Sequence, residues 1–439
     1  ASPYADRVIG YHLASGTTEE WMMWGGNEQQ WVDFSSANTR RFRDWLRTKY
    51  RNDAALRAAW QNPSATFDTV TIPSRAQRLH TEIGSFRDPL KEQAVIDFYL
   101  YNSDLVADTV CTFAQAVKGF TRNKKIVGAF YGYLLQLCGE QRQQNAGHLA
   151  LAKVLASRDI DFLTSPTSYA FRQLGGEGTS HFMSLLGSVT LSGKLWFDEN
   201  DIRTSLAPGA PGTWGKAADV AGDIVQQEKE LANVMVNGTA QWLFDVGSNV
   251  YGDPMLMDRI ARLVRNASEI QALDRTPADE VAMIVDERSL CWMRVGDKAL
   301  GAPLLVGQLP ALSRIGAPVG HYLASDLMRN KSMEPKDTPT IEDVAGQAFD
   351  AEPEATTEPL QVENAAEAQG PTSDEKQLAE ESFTTFNPND LSSYTPQQLQ
   401  EVYKRWQGDY TRTRQTEKAE ISKLQAELET LKQRSPQGA

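Results

Sequence analysis

Cysteine is scarce in this chain of 439 residues: Cys111, Cys138 and Cys291 are too few and too scattered for a disulfide framework, and none forms the CxxC pair of a zinc site. A reducing compartment follows, with the cytoplasm favoured. Long apolar runs are missing as well. None approaches the ~18 residues that a spanning helix needs, so no membrane partner is expected. Basic residues are outnumbered, 44 Lys and Arg against 57 Asp and Glu, and most of the resulting charge of −13 falls after Lys331. Without a basic stripe to follow a phosphate backbone, nucleic acid is excluded as a partner. The five histidines show no metal-site spacing, and no cofactor or metal is expected.

What the chain does have is apolar residues, 41% of the total, with ten tryptophans, enough to bury two or three domains. From Asp6 to about Ser268, short β-branched runs alternate with longer helical stretches, the pattern of repeated βα units around a parallel sheet. The runs predict strands over 8–14, 125–131, 162–165, 194–197 and 239–245. Helices are predicted over 37–50, 92–118, 147–157, 216–236 and 254–269. Five units cannot close an eight-stranded barrel. The expected architecture for residues 1–272 is therefore a partial (β/α)8 TIM barrel of the α/β class, with three units lying upstream and the chain inactive without them. Over 273–329 the pattern restarts with strands at 280–285 and 318–324 around a helix at 307–315, the opening of a flavodoxin-like α/β domain. Residues 330–394 read as a disordered acidic linker. Residues 395–439 read as a helical tail with weak coiled-coil spacing at Ile421, Leu424, Leu428 and Leu431.

Two strand ends carry the chemistry. KLWFDENDIRT, from Lys194, breaks from an apolar run into Asp198, Glu199 and Asp201 with Arg203 close behind. VIGYHLASGTTEEW, from Val8, ends in Glu19, Glu20 and Trp21. Strand ends are where a barrel assembles its site, and glycoside hydrolysis needs two carboxyl groups across the scissile bond. One of Glu19 and Glu20 is expected as general acid/base and one of Glu199 and Asp201 as nucleophile, supported by Asp198, Arg203 and His12. The plainer readings are solvated loop glutamates for the first pair and a helix cap for the second cluster. Along a strand, Asp198 and Glu199 must face opposite ways. Trp21, Tyr131, Tyr169, Trp196 and Trp242, near strand ends, are candidate platforms for the apolar faces of sugars, although any one of them could be ordinary core.

YADRVIGYHLASG, followed by NTRRFRDWLRTKYRNDAALRAAWQNP, resembles the glycoside hydrolase family 42 β-galactosidases. KLWFDENDIRT is similar to their seventh barrel strand, and GTAQWLFDVGSNVYGDP to their eighth. EVAMIVDERSL with RIGAPVGHYLASDL is similar to the start of their trimerisation domain. The resemblance implies a retaining hydrolase of β-galactoside-like bonds, a carbohydrate as partner, a homotrimer for the full-length enzyme, and Glu199 as nucleophile. At the acid/base strand the family reads G-W-Q-x-D-N-E, whereas this chain reads GYHLASG, with Gly16 at the position of the glutamate. The acid then has to come from Glu19 or Glu20, and Glu20 is preferred because the following indole could shield it. A non-catalytic carbohydrate-binding or assembly protein on the same scaffold is the competing expectation.

Overall fold

The computed structural model describes residues 4–23, 31, 33–175, 178–246 and 249–329, all within the unit Ala1–Thr338. The acidic linker and the helical tail lie outside the described residues.

Five strands form one parallel sheet: β1 (Gly10–Leu13), β2 (Ile126–Phe130), β3 (Phe162–Pro166), β4 (Leu195–Asn200) and β5 (Ala240–Leu243). They neighbour one another strictly in chain order. A doubly wound sheet reverses its order at a switch point; a barrel does not. The sheet therefore fits part of a (β/α)8 barrel, and among the described residues β1 and β5 are each paired on one side only. The five predicted strands all form, shifted by up to three residues at their ends.

Helices connect them. Between β1 and β2 lie α1 (Ser36–Tyr50), α2 (Asp53–Trp60), α3 (Arg75–Leu79) and the long α4 (Pro89–Thr121). Then come α5 (Arg142–Asn145), α6 (Leu151–Leu155), α7 (Leu186–Leu191), α8 (Val220–Val236) and α9 (Pro254–Ile270). Their starts are chemically specified. Asp88 and Asp253 each accept a hydrogen bond from the first turn with proline next, and Ser35, Asn52 and Asp219 cap α1, α2 and α8. The helix expected over 147–157 shortens to α6. Gly147 takes φ 88° and fits so closely against Val106 and the Asn102 carbonyl that it belongs to the preceding turn.

Register decides which side chains share a face. His12, Gly128, Phe162 and Leu195 stand in one row across the sheet; Phe130, Thr164, Phe197 and Ala240 in the next; Pro166, Glu199 and Trp242 in the third, toward the C-terminal ends. This is the concave face. Its rings pack closely: Phe197 against Trp242 at 4.5 Å and His12 against Phe130 at 4.3 Å between centroids. Gly128 is required there, since a Cβ would lie 2.2 Å from the Phe162 ring. The opposite face, with Val127, Ala129, Leu163 and Trp196, is buried in the main core with Val106, Val110 and Ala114 of α4.

Asp97 on α4 explains the motif that runs through α1 and α2. Fully buried, it accepts hydrogen bonds from Lys49 Nζ at 2.6 Å, Tyr50 Oη and Trp60 Nε1 at 2.7 Å, and Gln93 Nε2 at 2.8 Å. One carboxylate thus fixes α1 and α2 on α4.

After α9, β6 (Val281–Val285) and β7 (Val319–Leu323) form a separate parallel pair, with α10 (Leu309–Leu312) between them and α11 (Ala324–Arg329) after. The helix predicted over 307–315 is reduced to α10, preceded by a π turn at Pro303–Gly307. This region is tied to the sheet's helices. Glu287 accepts the backbone N–H groups of Leu151 and Ala152 at the start of α6, the second at 3.1 Å. Arg288 reaches Asp104 on α4 at 2.6 Å, and the other oxygen of that carboxylate accepts from Trp45 Nε1 at 2.9 Å.

Replacing Asp97 by alanine leaves four donors facing an empty pocket. The expected loss is about 3–5 kcal/mol of unfolding free energy, as for breaking a buried charge pair. Urea denaturation of Asp97→Ala checks it; a loss below about 1 kcal/mol would show that the hub contributes no more than a surface pair.

Candidate functional site

Glu20 sits in a tight turn that returns on β1. The Trp21 N–H bonds the Ser15 carbonyl at 2.6 Å, and the Thr17 N–H bonds that of Met22 at 2.9 Å. Closing the turn forces Thr18, Glu19 and Trp21 to φ of 55°, 66° and 59°, a conformation costly for residues with a Cβ. Gly16, at φ 78°, has no room for any side chain: a Cβ would lie 2.2 Å from the Met22 carbonyl oxygen. No carboxylate could stand at position 16, and the acid arrives four residues later. Glu20 is half-buried. Its Oε1 accepts from Tyr133 Oη at 2.9 Å and its Oε2 from Thr18 Oγ1. Burial raises its pKa, opposed by these two donors and by the positive charge of Arg142. Glu19 points to solvent.

At the end of β4 the strand pleat separates the acids. Glu199, half-buried, is on the concave face beside Trp242 of β5. Its pKa is pushed up to about 7, first by burial, then by the charges of Asp201, Glu20 and Asp198. Asp198, on the opposite face, is buried and accepts from Thr167 Oγ1 at 2.7 Å. Burial pushes it up to about 7 as well. Asp201 is different: Arg172 Nη2 and Arg203 Nη1 each approach one of its oxygens at 2.7 Å, and Tyr169 Oη donates at 3.1 Å. Arg172 also lies 4.4 Å over the Tyr169 ring. Asp201 is thereby a fixed counter-ion.

The fields of the two strand ends overlap. Glu20 acts on Glu199 and on Tyr169, while Tyr133, hydrogen-bonded to Glu20, lies within the field of Glu199. These four residues lie within one another's electrostatic reach at the C-terminal edge of the concave face.

Of the expected aromatic platforms, Tyr169, 39% exposed, is open at this edge, and Trp242 is partly exposed on the concave face. Three are corrected to core. Trp21 is 7% exposed, packs near Phe113 and donates to the Leu13 carbonyl, so it does not shield Glu20 as an open indole. Tyr131 is fully buried with its hydroxyl on the Gly147 carbonyl, and Trp196 packs behind β4 against Phe182. His12 stands lower on the concave face, bonded to Thr164 Oγ1 at 3.1 Å, and burial lowers its pKa to about 4. Sequence patterning gave no signal for Thr167 or Arg172, whose partners lie 29–31 residues away. No group of metal-binding side chains and no helix long and apolar enough to cross a membrane occurs among the described residues.

A carboxyl raised on folding contributes stability that is complete below its unfolded pKa, near ~3.9 for Asp, and is lost as pH rises through the folded value. Asp198, at about 7, behaves this way. Asp198→Asn removes the contribution, so the variant should gain on the parent as pH rises from about 5 to about 8. Urea melts at both ends check this; parallel curves would show that Asp198 is not protonated in the folded state.

The beta-galactosidase family of glycoside hydrolase 42 matches residues 18–159, a window that contains Glu20 and ends before β3. No curated protein sequence matches the chain. Similar solved structures include beta-galactosidases from the psychrophilic Marinomonas ef1 (15% identity, TM-score 0.43, 66% of this chain and 47% of that one) and from Rahnella sp. R3 (15%, 0.45, 73% and 46%). A third is from Bacillus circulans sp. alkalophilus (12%, 0.46, 67% and 44%). The chain spans about half the length of these structures. Residues 18–159 are thus similar to the family 42 beta-galactosidases.

Proposed function

We propose that this chain carries the two catalytic carboxyl groups of a retaining glycosidase acting on β-galactoside-like bonds, with Glu20 as general acid/base and Glu199 as nucleophile. The observation that carries the reading is that the turn after β1 and the end of β4 bring these two glutamates to one edge of the sheet, where burial raises the pKa of both. Two like charges in one cleft resist joint ionisation, so the pair favours holding a single proton, the state the first step requires.

In that step Glu20 gives its proton to the glycosidic oxygen while a Glu199 oxygen attacks the anomeric carbon. The C–O bond breaks, the alcohol leaves, and a glycosyl ester remains on Glu199. Glu20, now a carboxylate, takes a proton from water, whose oxygen displaces Glu199 and restores both groups. Retention calls for a separation of ~5 Å between the carboxyls. The division of labour follows the chain order of the family resemblance. Tyr169 and Trp242 would border the sugar; Asp201, with Arg172 and Arg203, would hold the wall of the cleft. Asp198 would support Glu199 from behind the strand. The β6–β7 pair is the candidate start of a trimerisation domain.

The chain alone is proposed to be inactive, so turnover is read in the enzyme completed by its upstream barrel units: there the expected outcome for Glu20→Gln is a fall of about 10²–10⁴-fold in turnover of a galactoside with an alkyl leaving group, and a much smaller fall with a dinitrophenyl leaving group, which needs no proton. A 2-deoxy-2-fluoro galactoside with an activated leaving group should label Glu199, located by peptide mass spectrometry. Label on another acid would move the nucleophile. Binding of galactosides with no turnover by the parent protein would leave a sugar-binding scaffold in place of a hydrolase, and turnover unaltered in Glu20→Gln and Glu199→Gln would move the catalytic groups elsewhere.

A further inference from the structure

His148 is buried at the loop following β2, 128 residues from the turn that holds Glu20, and its ring bridges the two segments. Nδ1 faces the backbone N–H groups of Gly132 at 3.2 Å and Tyr133 at 3.4 Å. Those groups can only donate, so Nδ1 carries no hydrogen. The hydrogen is on Nε2, which faces the backbone carbonyl of Glu20 at 3.1 Å. Tyr131 stacks on the ring at 4.6 Å, and Tyr133 meets it edge-on at 5.0 Å. The imidazole is therefore fixed in position, orientation and tautomer.

Both of its contacts lead to the same place. Tyr133, whose N–H it accepts, is the residue whose hydroxyl donates to the Glu20 carboxylate at 2.9 Å. Glu20, whose carbonyl it binds, lies between left-handed Glu19 and Trp21. A turn containing three such residues does not hold its shape from local preference. An external tie on its carbonyl supplies what the local sequence does not.

We infer that His148 is a positioning residue that holds the Glu20 turn and the Tyr133 hydroxyl in register, so that the carboxyl keeps one fixed place in the cleft. The inference rests on the reading of Glu20 as the acid/base. Burial drives the ring's pKa down to about 3, so it stays neutral where carboxyl pairs titrate, and the tie keeps its form while Glu20 gains and loses its proton. Arg142, Asp201 and Glu199 are the charges that reach Glu20 from neighbouring segments.

The test measures the Glu20 pKa by carbon-13 NMR titration of the full chain, alongside turnover of an alkyl galactoside by the enzyme completed with its upstream barrel units. In His148→Phe, which keeps a ring and loses both bonds, the turn should relax toward water. The Glu20 pKa should then fall toward the ordinary ~4.3, and kcat should drop about 10²-fold with KM little changed. His148→Gln, which keeps a donor where Nε2 stood, should recover most of the loss; His148→Asn, which keeps only the acceptor at Nδ1, should recover less. An unaltered Glu20 pKa and kcat in His148→Phe overturns the inference. So does equal behaviour of the Gln and Asn variants, which decides the matter if the Phe variant fails to fold. Turnover unaltered in Glu20→Gln would instead overturn the acid/base reading, and the NMR titration would still report the clamp.

Discussion

The pleat of β4 is the constraint on which the cleft depends. A strand must send neighbouring side chains to opposite faces, so three acids within four positions cannot share one environment. Glu199 emerges on the concave face beside Trp242; Asp198 is driven into the helix-facing core, where Thr167 meets it. Asp201, past the end of the strand, is free of the alternation and settles between two arginines. A register slip of one residue would exchange the first two, putting the shorter carboxyl in the cleft and the longer one behind the sheet.

This separation gives three carboxyl groups three electrostatic characters with little machinery. Asp201 has full counter-charges within hydrogen-bond reach. Asp198 has a neutral hydroxyl donor and deep burial, which favours the protonated form. Glu199 lies between these extremes, part-buried and surrounded by other acids. Burial is the first cause of the raised pKa in both Asp198 and Glu199.

Much of the fold is legible in the sequence because apolar runs and Asp-Pro helix starts are local signals. The five strands, the long helices and the opposed directions of Asp198 and Glu199 follow from periodicity alone. The directions of the aromatics do not. Trp21 turns inward because its backbone is left-handed, and that conformation comes from the closure of Gly16 on Met22. Tyr131 continues the core-facing alternation of β2 past the strand's last residue, while Trp196 sits on the buried side of β4 by parity. Parity was available in the sequence; which parity faces the helices was settled by packing. His148 carries no local mark at all, since its partners are brought to it by the pairing of β1 with β2.

The ties formed by Glu287 and Arg288 bear on how this chain can be divided. Residues that follow β6 complete hydrogen bonds begun by α6 and by Asp104 of α4. Cutting at Ala272 would leave the first N–H groups of α6 without their acceptor and the Asp104 carboxylate without its arginine. The boundary between sheet and β6–β7 pair is therefore a poor site for recombination: the segments on either side have to be inherited together to keep those bonds whole.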